Sequence, residues 1–202
     1  MSERGTTLHL IRHGDYPLLG RVLAGRLGGY SLSGLGREQA ARIATALAGR
    51  HLAAVVSGPL ERAQETAAPL AQRFGLTVVT EPDFNEIDFG QWTGMEFEAL
   101  HALPQWRAFN SFRSTAPIPG GETMLQAQAR AMAAVTRLRA RFPDGEVAVI
   151  SHGDVIKAVL AHFLAVPLDL FARIEIAPGS RNEIVVSDSD ARILGVNLPP
   201  GV

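Results

Sequence analysis

The segment Glu146-Val147-Ala148-Val149-Ile150-Ser151, followed at once by His152-Gly153, reads as a central strand that runs directly into a helix. Four consecutive apolar residues suit a strand covered on both faces, the condition of a parallel sheet between helices. Beyond it, Ile156, Val159, Leu160 and Phe163 recur at helical spacing. Before it, Pro143-Asp144-Gly145 makes a turn, and the stretch from Glu122 to Phe142 predicts a helix with Met124, Ala131, Val135, Leu138 and Phe142 on one face. The same alternation extends outward to both ends. Thr6–Ile11 is a strand that stops at Arg12-His13-Gly14. A glycine-rich loop leads to a helix over about Leu35–Ala48, with Ala40, Ile43, Ala44 and Leu47 inward. Ala53–Ser57 is a second buried strand. Ser57-Gly58-Pro59 then has the order of a cap residue with proline in the first helical turn, and Ala63, Ala67, Leu70 and Phe74 follow as an inward stripe ended by Gly75. Thr77–Thr80 is a short strand nearer an edge. Asn182–Ser187 and Arg192–Asn197 flank Asp188-Ser189-Asp190 as a hairpin. These elements predict an α/β fold in three layers: a mostly parallel sheet, helices on both faces and an antiparallel C-terminal edge. One domain over 1–202 is expected.

Composition narrows the function. With 47% hydrophobic residues in 202, the chain can bury a substantial core, which excludes disorder over most of its length. Nineteen basic and twenty acidic residues leave a net charge of −1, without the broad positive field of a nucleic-acid binder. No cysteine is present, so thiol nucleophiles, thiolate zinc sites and iron–sulfur clusters are excluded. The apolar stretch at the N-terminus is too short for a signal peptide, and Val155–Val166 is too short and too interrupted to span a bilayer. A cytoplasmic protein with no membrane partner is the expectation.

Ligands of open α/β sheets bind beyond the carboxyl ends of the strands. Those ends carry Arg12-His13-Gly14, Ser57 with Arg62 a turn further on, and Ser151-His152-Gly153. Two histidines and two arginines thus leave three strand ends on one side of the sheet. Helix starts expected at Gly58 and Gly153 add backbone N–H donors, making a site for a compact dianion, with phosphate the best fit to arginine's planar fork. His9, His51, His101 and His162 lack such company and read as exposed or satisfied by local partners. Any one of the four site residues alone would be unremarkable; their convergence is the signal.

At this point the motifs carry a resemblance. Leu10-Ile11-Arg12-His13-Gly14 resembles the R-H-G signature of the histidine phosphatase superfamily. Ser57-Gly58-Pro59-Leu60-Glu61-Arg62-Ala63-Gln64-Glu65-Thr66 is similar to its S-x-P-x-x-R-A-x-x-T segment. Glu86-Ile87-Asp88-Phe89-Gly90-Gln91-Trp92-Thr93-Gly94 resembles the E-x-D-F-G-x-W-x-G block of the phosphoglycerate-mutase-like branch. Pro119-Gly120-Gly121-Glu122-Thr123 and Ser151-His152-Gly153-Asp154 complete the order from Thr6 to about Leu170. The resemblance implies a metal-independent phosphomonoester hydrolase. His13 would be the nucleophile that carries a transient phosphohistidine, and Glu86 the general acid and later base. Arg12, Arg62, His152 and the Gly153 backbone would bind the phosphoryl group. His13 should be neutral and His152 protonated. Asp88 is the rival acid, but the block's register favours Glu86 and leaves Asp88 fixing its loop. No cofactor is expected, and two flanking arginines would repel a metal cation.

Two alternatives stand beside this reading. A phosphoglycerate mutase would return the phosphoryl group to its product, but only Met95–Ile118 separates the glutamate block from P-G-G-E, which is short for the mutases. A non-catalytic binder of phosphorylated ligands would not need all five catalytic positions filled. Asp15-Tyr16-Pro17-Leu18-Leu19-Gly20 lacks the Trp-Asn pair common after R-H-G, leaving Asp15, Tyr16, Arg21 and Arg26 as candidates for the missing polar contact. Seven of the thirteen aromatics fall between Phe84 and Phe112. They predict a small helical cap inserted over about 94–120, in which aromatics mainly pin the cap and Arg107 or Arg113 could reach a small phosphomonoester substrate. The hairpin edge is compatible with a homodimer.

Overall fold

A computed structural model describes residues 5–201. Six strands form one sheet in the order β3-β2-β4-β1-β5-β6, with β1 at Thr6–Arg12, β2 at Leu52–Ser57, β3 at Val78–Thr80, β4 at Glu146–Ser151, β5 at Arg181–Val186 and β6 at Ala191–Leu198. The first four are mutually parallel; β5 and β6 close one side antiparallel. The opening segment is therefore β4, at the heart of the sheet between β1 and β2.

Side chains alternate across the sheet with period two. Leu8, Leu10, Ala54, Val56, Val147 and Val149 face one core, shared with α5 (Met124–Arg141) and α6 (Gly153–Phe163). Ile11, Val55, Ala148 and Ile150 face the other, packed by α1 (Gly34–Ala46) and α2 (Glu61–Phe74). Strands β1, β2 and β4 are buried on both faces, which is why they read as apolar runs, whereas β3 at the edge is largely exposed. Thr123 caps α5 with a full capping box, its side chain accepting from the Gln126 N–H while Gln126 reaches back.

Helix α2 starts later than the sequence suggests. It begins at Glu61 after Leu60, with no side-chain cap. Ser57 is still in the sheet, opposite Ile150 and Thr80, and its hydroxyl donates to the Gly58 carbonyl. The Gly58 N–H is spent on the Ile150 carbonyl at 3.0 Å. Proline at 59 suits a first turn, but the chain needs Gly58–Leu60 to leave the ladder. Gly58 therefore offers no helix N-terminus, and Ser57 is not a cap.

The 94–120 segment contributes α3 (Phe97–Ala102) and α4 (Pro104–Ser111). Trp92 packs edge-on against Trp106 at 5.4 Å and against Phe109 at 5.5 Å, and all three belong to the α5–α6 core. These aromatics hold the two helices to the body of the protein. Only Phe112 of the seven is well exposed.

Candidate active site

The parallel strands end together, and their ends are tied by hydrogen bonds. The His13 N–H donates to the Ser151 carbonyl at 2.9 Å, joining β1 to β4. The Ser151 hydroxyl donates to the Phe84 carbonyl at 2.8 Å, bringing in the loop that carries Glu86. The Gly14 N–H donates to Thr66 Oγ1 at 3.0 Å, which itself donates to the Arg62 carbonyl, so α2 is tied to the same turn. Gly14 has no room for a side chain: a Cβ would lie 2.6 Å from the Gly36 carbonyl oxygen of α1.

His13 is almost wholly buried, and its Nδ1 lies 2.8 Å from the Gly14 carbonyl. A carbonyl only accepts, so Nδ1 carries the proton and Nε2 keeps its lone pair. Burial, then the charges of Arg62 and Arg12, push the His13 pKa down to about 3. His152 is fully buried beside it, ring centroids 5.1 Å apart, with neither ring nitrogen hydrogen-bonded. Burial followed by His13 and the guanidiniums lowers its pKa well below the usual value. The expectation of one neutral and one protonated imidazole is not met by the protein's own groups, because the same burial and the same arginines act on both. An arriving dianion opposes both effects.

Arg12 donates through Nη1 to the Ile176 carbonyl at 2.6 Å, and Arg62 through Nη2 to the Gly25 carbonyl at 2.8 Å. In both, Nε is buried without a partner among the described residues. Gly153 is the first residue of α6, so its N–H has no partner within the helix. A Cβ there would lie 3.2 Å from Arg12 Nε, so the glycine lets the guanidinium lie against the helix start.

Glu86 is held by its main chain. Its carbonyl accepts from Arg26 Nε at 2.8 Å and Arg130 Nη2 at 3.1 Å. Both arginines also bind Glu122, whose Oε1 accepts the Asp88 N–H. The glutamate of P-G-G-E is thus a clamp under the Glu86 loop, and Asp88 folds back to accept from the Gly90 N–H. One Glu86 oxygen accepts from the Ile87 N–H at 2.9 Å, and the other lies 3.6 Å from His152 Nδ1. Burial, then the nearby Asp154 carboxylate, push the Glu86 pKa up to about 7.

Above these groups opens a cavity of about 700 Å³. Arg12, His13, Glu86 and Gly153 line it directly; Arg62 and His152 are buried behind them. The loop after Gly14 and helices α3, α4 and α6 form its walls, with Phe97, Arg107 and Lys157 among them. His101, read from sequence as outside the site, stacks on Phe97 and lines this wall. Arg113 also reaches it but is committed elsewhere: it lies between the Phe109 and Phe171 rings, donates to Asp154 at 3.0 Å and to Asn110 at 2.6 Å. Arg107 and Lys157 have no carboxylate partner among the described residues. Among those residues no group of three histidine, aspartate or glutamate side chains has the geometry to hold a metal.

The family model for the histidine phosphatase superfamily (branch 1) matches residues 8–199. The chain is 39% identical over 153 residues to an uncharacterized protein of Mycobacterium tuberculosis, covering 73% of each. It is 34% identical over 177 residues to the glucosyl-3-phosphoglycerate phosphatase of Mycobacterium tuberculosis, covering 82% of this chain and 78% of that one. The solved mycobacterial glucosyl-3-phosphoglycerate phosphatase superposes with a TM-score of 0.86 at 29% identity, over 96% of this chain and all of the other. The chain belongs to the histidine phosphatase superfamily, branch 1, and is a phosphatase.

Arg130 is a site-forming residue that the sequence did not single out, whereas Arg26 stands there as a candidate for the missing polar contact and Thr66 within a motif but with no role assigned. A threonine four residues after Arg62, on the same helical face, was the available signal for Thr66. Nothing local marks Arg130, which reaches the Glu86 loop from the middle of α5.

Proposed function

We propose that the chain hydrolyses small phosphomonoesters through a phosphohistidine on His13. The observation that carries this reading is a neutral His13, fixed through Nδ1 and facing the same cavity as Glu86, a carboxyl that keeps its proton to about pH 7. In the first step His13 Nε2 attacks phosphorus, the P–O ester bond breaks, and Glu86 gives its proton to the leaving oxygen. In the second, the Glu86 carboxylate takes a proton from water, the water oxygen bonds to phosphorus, and the N–P bond breaks to release phosphate. Arg12, Arg62, His152 and the Gly153 N–H balance charge on the phosphoryl oxygens, the main source of rate in such transfers. The remaining space suits a small organic leaving group. Arg107 and Lys157 favour one that is itself anionic, and the relatives' name makes phosphorylated sugar acids the first to try.

The direct test is phosphate release from a panel of small phosphomonoesters, 3-phosphoglycerate and a glucosylated phosphoglycerate included, in the presence of a chelator. Release by the wild type, lost in His13→Ala, with an acid-labile phosphoenzyme trapped on rapid quenching, is the expected result. Interconversion of phosphoglycerates without net release would make the protein a mutase, and binding without turnover a pseudo-enzyme.

A further inference from the structure

Of the polar side chains after Gly14 that were candidates for the contact left open by the missing Trp-Asn pair, the structure commits Asp15 and Arg26 elsewhere and leaves Arg21 outside the cavity. Asp15 accepts from the Ser33 hydroxyl at the start of α1. Arg26 clamps the Glu86 carbonyl and Glu122. Arg21 is exposed and does not line the cavity. Tyr16 is different. It is only 7% exposed, lines the cavity, and presents its ring edge-on to His13 at 5.3 Å between centroids. The Arg62 guanidinium lies over the same ring, 5.0 Å from its centre. The Tyr16 carbonyl accepts from the Leu19 N–H, which fixes the turn. Its hydroxyl makes no hydrogen bond among the described residues.

The ring is nearly buried while its hydroxyl stays accessible in the cavity, where phenylalanine would fill the same space at no polar cost. We propose that the Tyr16 hydroxyl donates a hydrogen bond to a non-bridging oxygen of the bound phosphoryl group, making Tyr16 a catalytic residue of this site. The inference rests on the phosphoryl-transfer reading given above. Arg62 spends one N–H of each terminal nitrogen on the Leu27 and Gly25 carbonyls, which holds the guanidinium in the loop and leaves Nε–H and one hydrogen on each terminal nitrogen for a ligand. A neutral donor beside it supplies a further hydrogen bond without adding repulsion between cations, and the guanidinium on its ring face polarises the O–H outward. Burial also raises the tyrosine pKa, which keeps the donor proton in place.

Tyr16→Phe keeps the ring against His13 and under Arg62 and removes only the hydroxyl. Orthovanadate binding measured by calorimetry, which requires no turnover, should weaken at least tenfold, and kcat/KM should fall ten- to a hundredfold in any ester assay that the wild type supports. Wild-type vanadate affinity in Tyr16→Phe, with loss only in Tyr16→Ala, would reduce the residue to packing and overturn the proposal. A second readout needs no change at position 16. The chain has two tyrosines, so in Tyr30→Phe the near-ultraviolet tyrosine difference spectrum on adding inorganic phosphate reports Tyr16 alone. A red shift saturating with phosphate is expected; saturable binding with no tyrosine signal would count against the bond. If the wild type binds vanadate but releases phosphate from no ester, the hydrolase reading fails while the Tyr16 contact is still decided by the binding data.

Discussion

His13 and Glu86 are both buried titratable groups, and the pocket pushes them in opposite senses relative to charge. The imidazole stays neutral down to about pH 3, and the carboxyl stays protonated up to about pH 7. Neutral nucleophile and protonated acid therefore coexist between those limits. For an alkyl phosphate, whose leaving oxygen needs a proton, kcat/KM should be level below pH 7 and fall about tenfold per unit above it, after correction for the ester's own ionisation near pH 6. Glu86→Gln should remove the alkaline fall and lower the rate by about 10²–10³-fold for alkyl esters, and far less for a nitrophenyl ester that leaves unaided. Equal losses with both leaving groups, or an alkaline limb that survives the substitution, would take Glu86 out of the acid role. The residue types of this pair were legible in the motifs. So were a neutral His13 and an acidic Glu86; the charge of His152 was not, since the sequence suggested a protonated ring, whereas complete burial beside His13 and two guanidiniums lowers its pKa well below the usual value.

At the scale of elements, the strand ends were readable because each apolar run stops at a polar or glycine residue, so Arg12-His13, Ser57 and Ser151-His152 could be placed on one side of the sheet. The start of α2 was misplaced because cap chemistry at Ser57 is locally correct, while cross-strand pairing with β4, a contact about ninety residues away in sequence, decides that Ser57 remains in the ladder. The Glu86 loop shows the same limit. Its position depends on Arg130 of α5, which binds the Asp83 and Glu86 carbonyls and Glu122, and on Arg26 from the loop after β1. Burial opposes the charge of Glu122, but the Arg130 hydrogen bond and the Asp88 N–H outweigh it and hold its pKa below the usual range. Arg130→Met leaves the Asp83 carbonyl and one Glu122 oxygen without their donor, while Arg26 still holds the Glu86 carbonyl and the other Glu122 oxygen, and should cost about 2–4 kcal/mol of stability. Because Arg130 touches the loop and lies outside the phosphate donors, kcat for poor leaving groups should fall while vanadate affinity stays within about threefold of wild type. A parallel loss of vanadate affinity would show that α5 supports the whole pocket and not the acid alone.

Across the whole molecule, the α/β order was legible because alternation of strand and helix restricts the topology, and the aromatics between Phe84 and Phe112 marked a helical segment, whereas its placement over the site was not legible, since α3 and α4 are set by aromatic packing on a core shared with α5 and α6. The buried site also leaves a mark on global stability. His13 binds its proton in the unfolded chain near pH 6.5 but in the folded protein only near 3, so its contribution is present above pH 6.5 and lost as pH falls toward 3. Glu86 runs the other way: with its folded pKa raised from 4.5 to about 7, its contribution is fully present below 4.5 and lost as pH rises through 7. Between pH 8 and pH 4.5 each is worth about 2–3 kcal/mol, with opposite sign. Both variants shift stability by a constant packing amount, so the informative quantity is how each variant's difference from wild type changes with pH. His13→Ala should gain on wild type as pH drops from 8 to 4.5, and Glu86→Gln should lose ground over the same interval. At roughly 2–4 °C per kcal/mol for a chain of this size, the two Tm differences should diverge by about 10 °C or more in thermal melts at the two pH values. Differences that stay flat with pH in both variants would mean that neither group changes protonation on folding, which would remove the electrostatic basis for a neutral nucleophile beside a protonated acid.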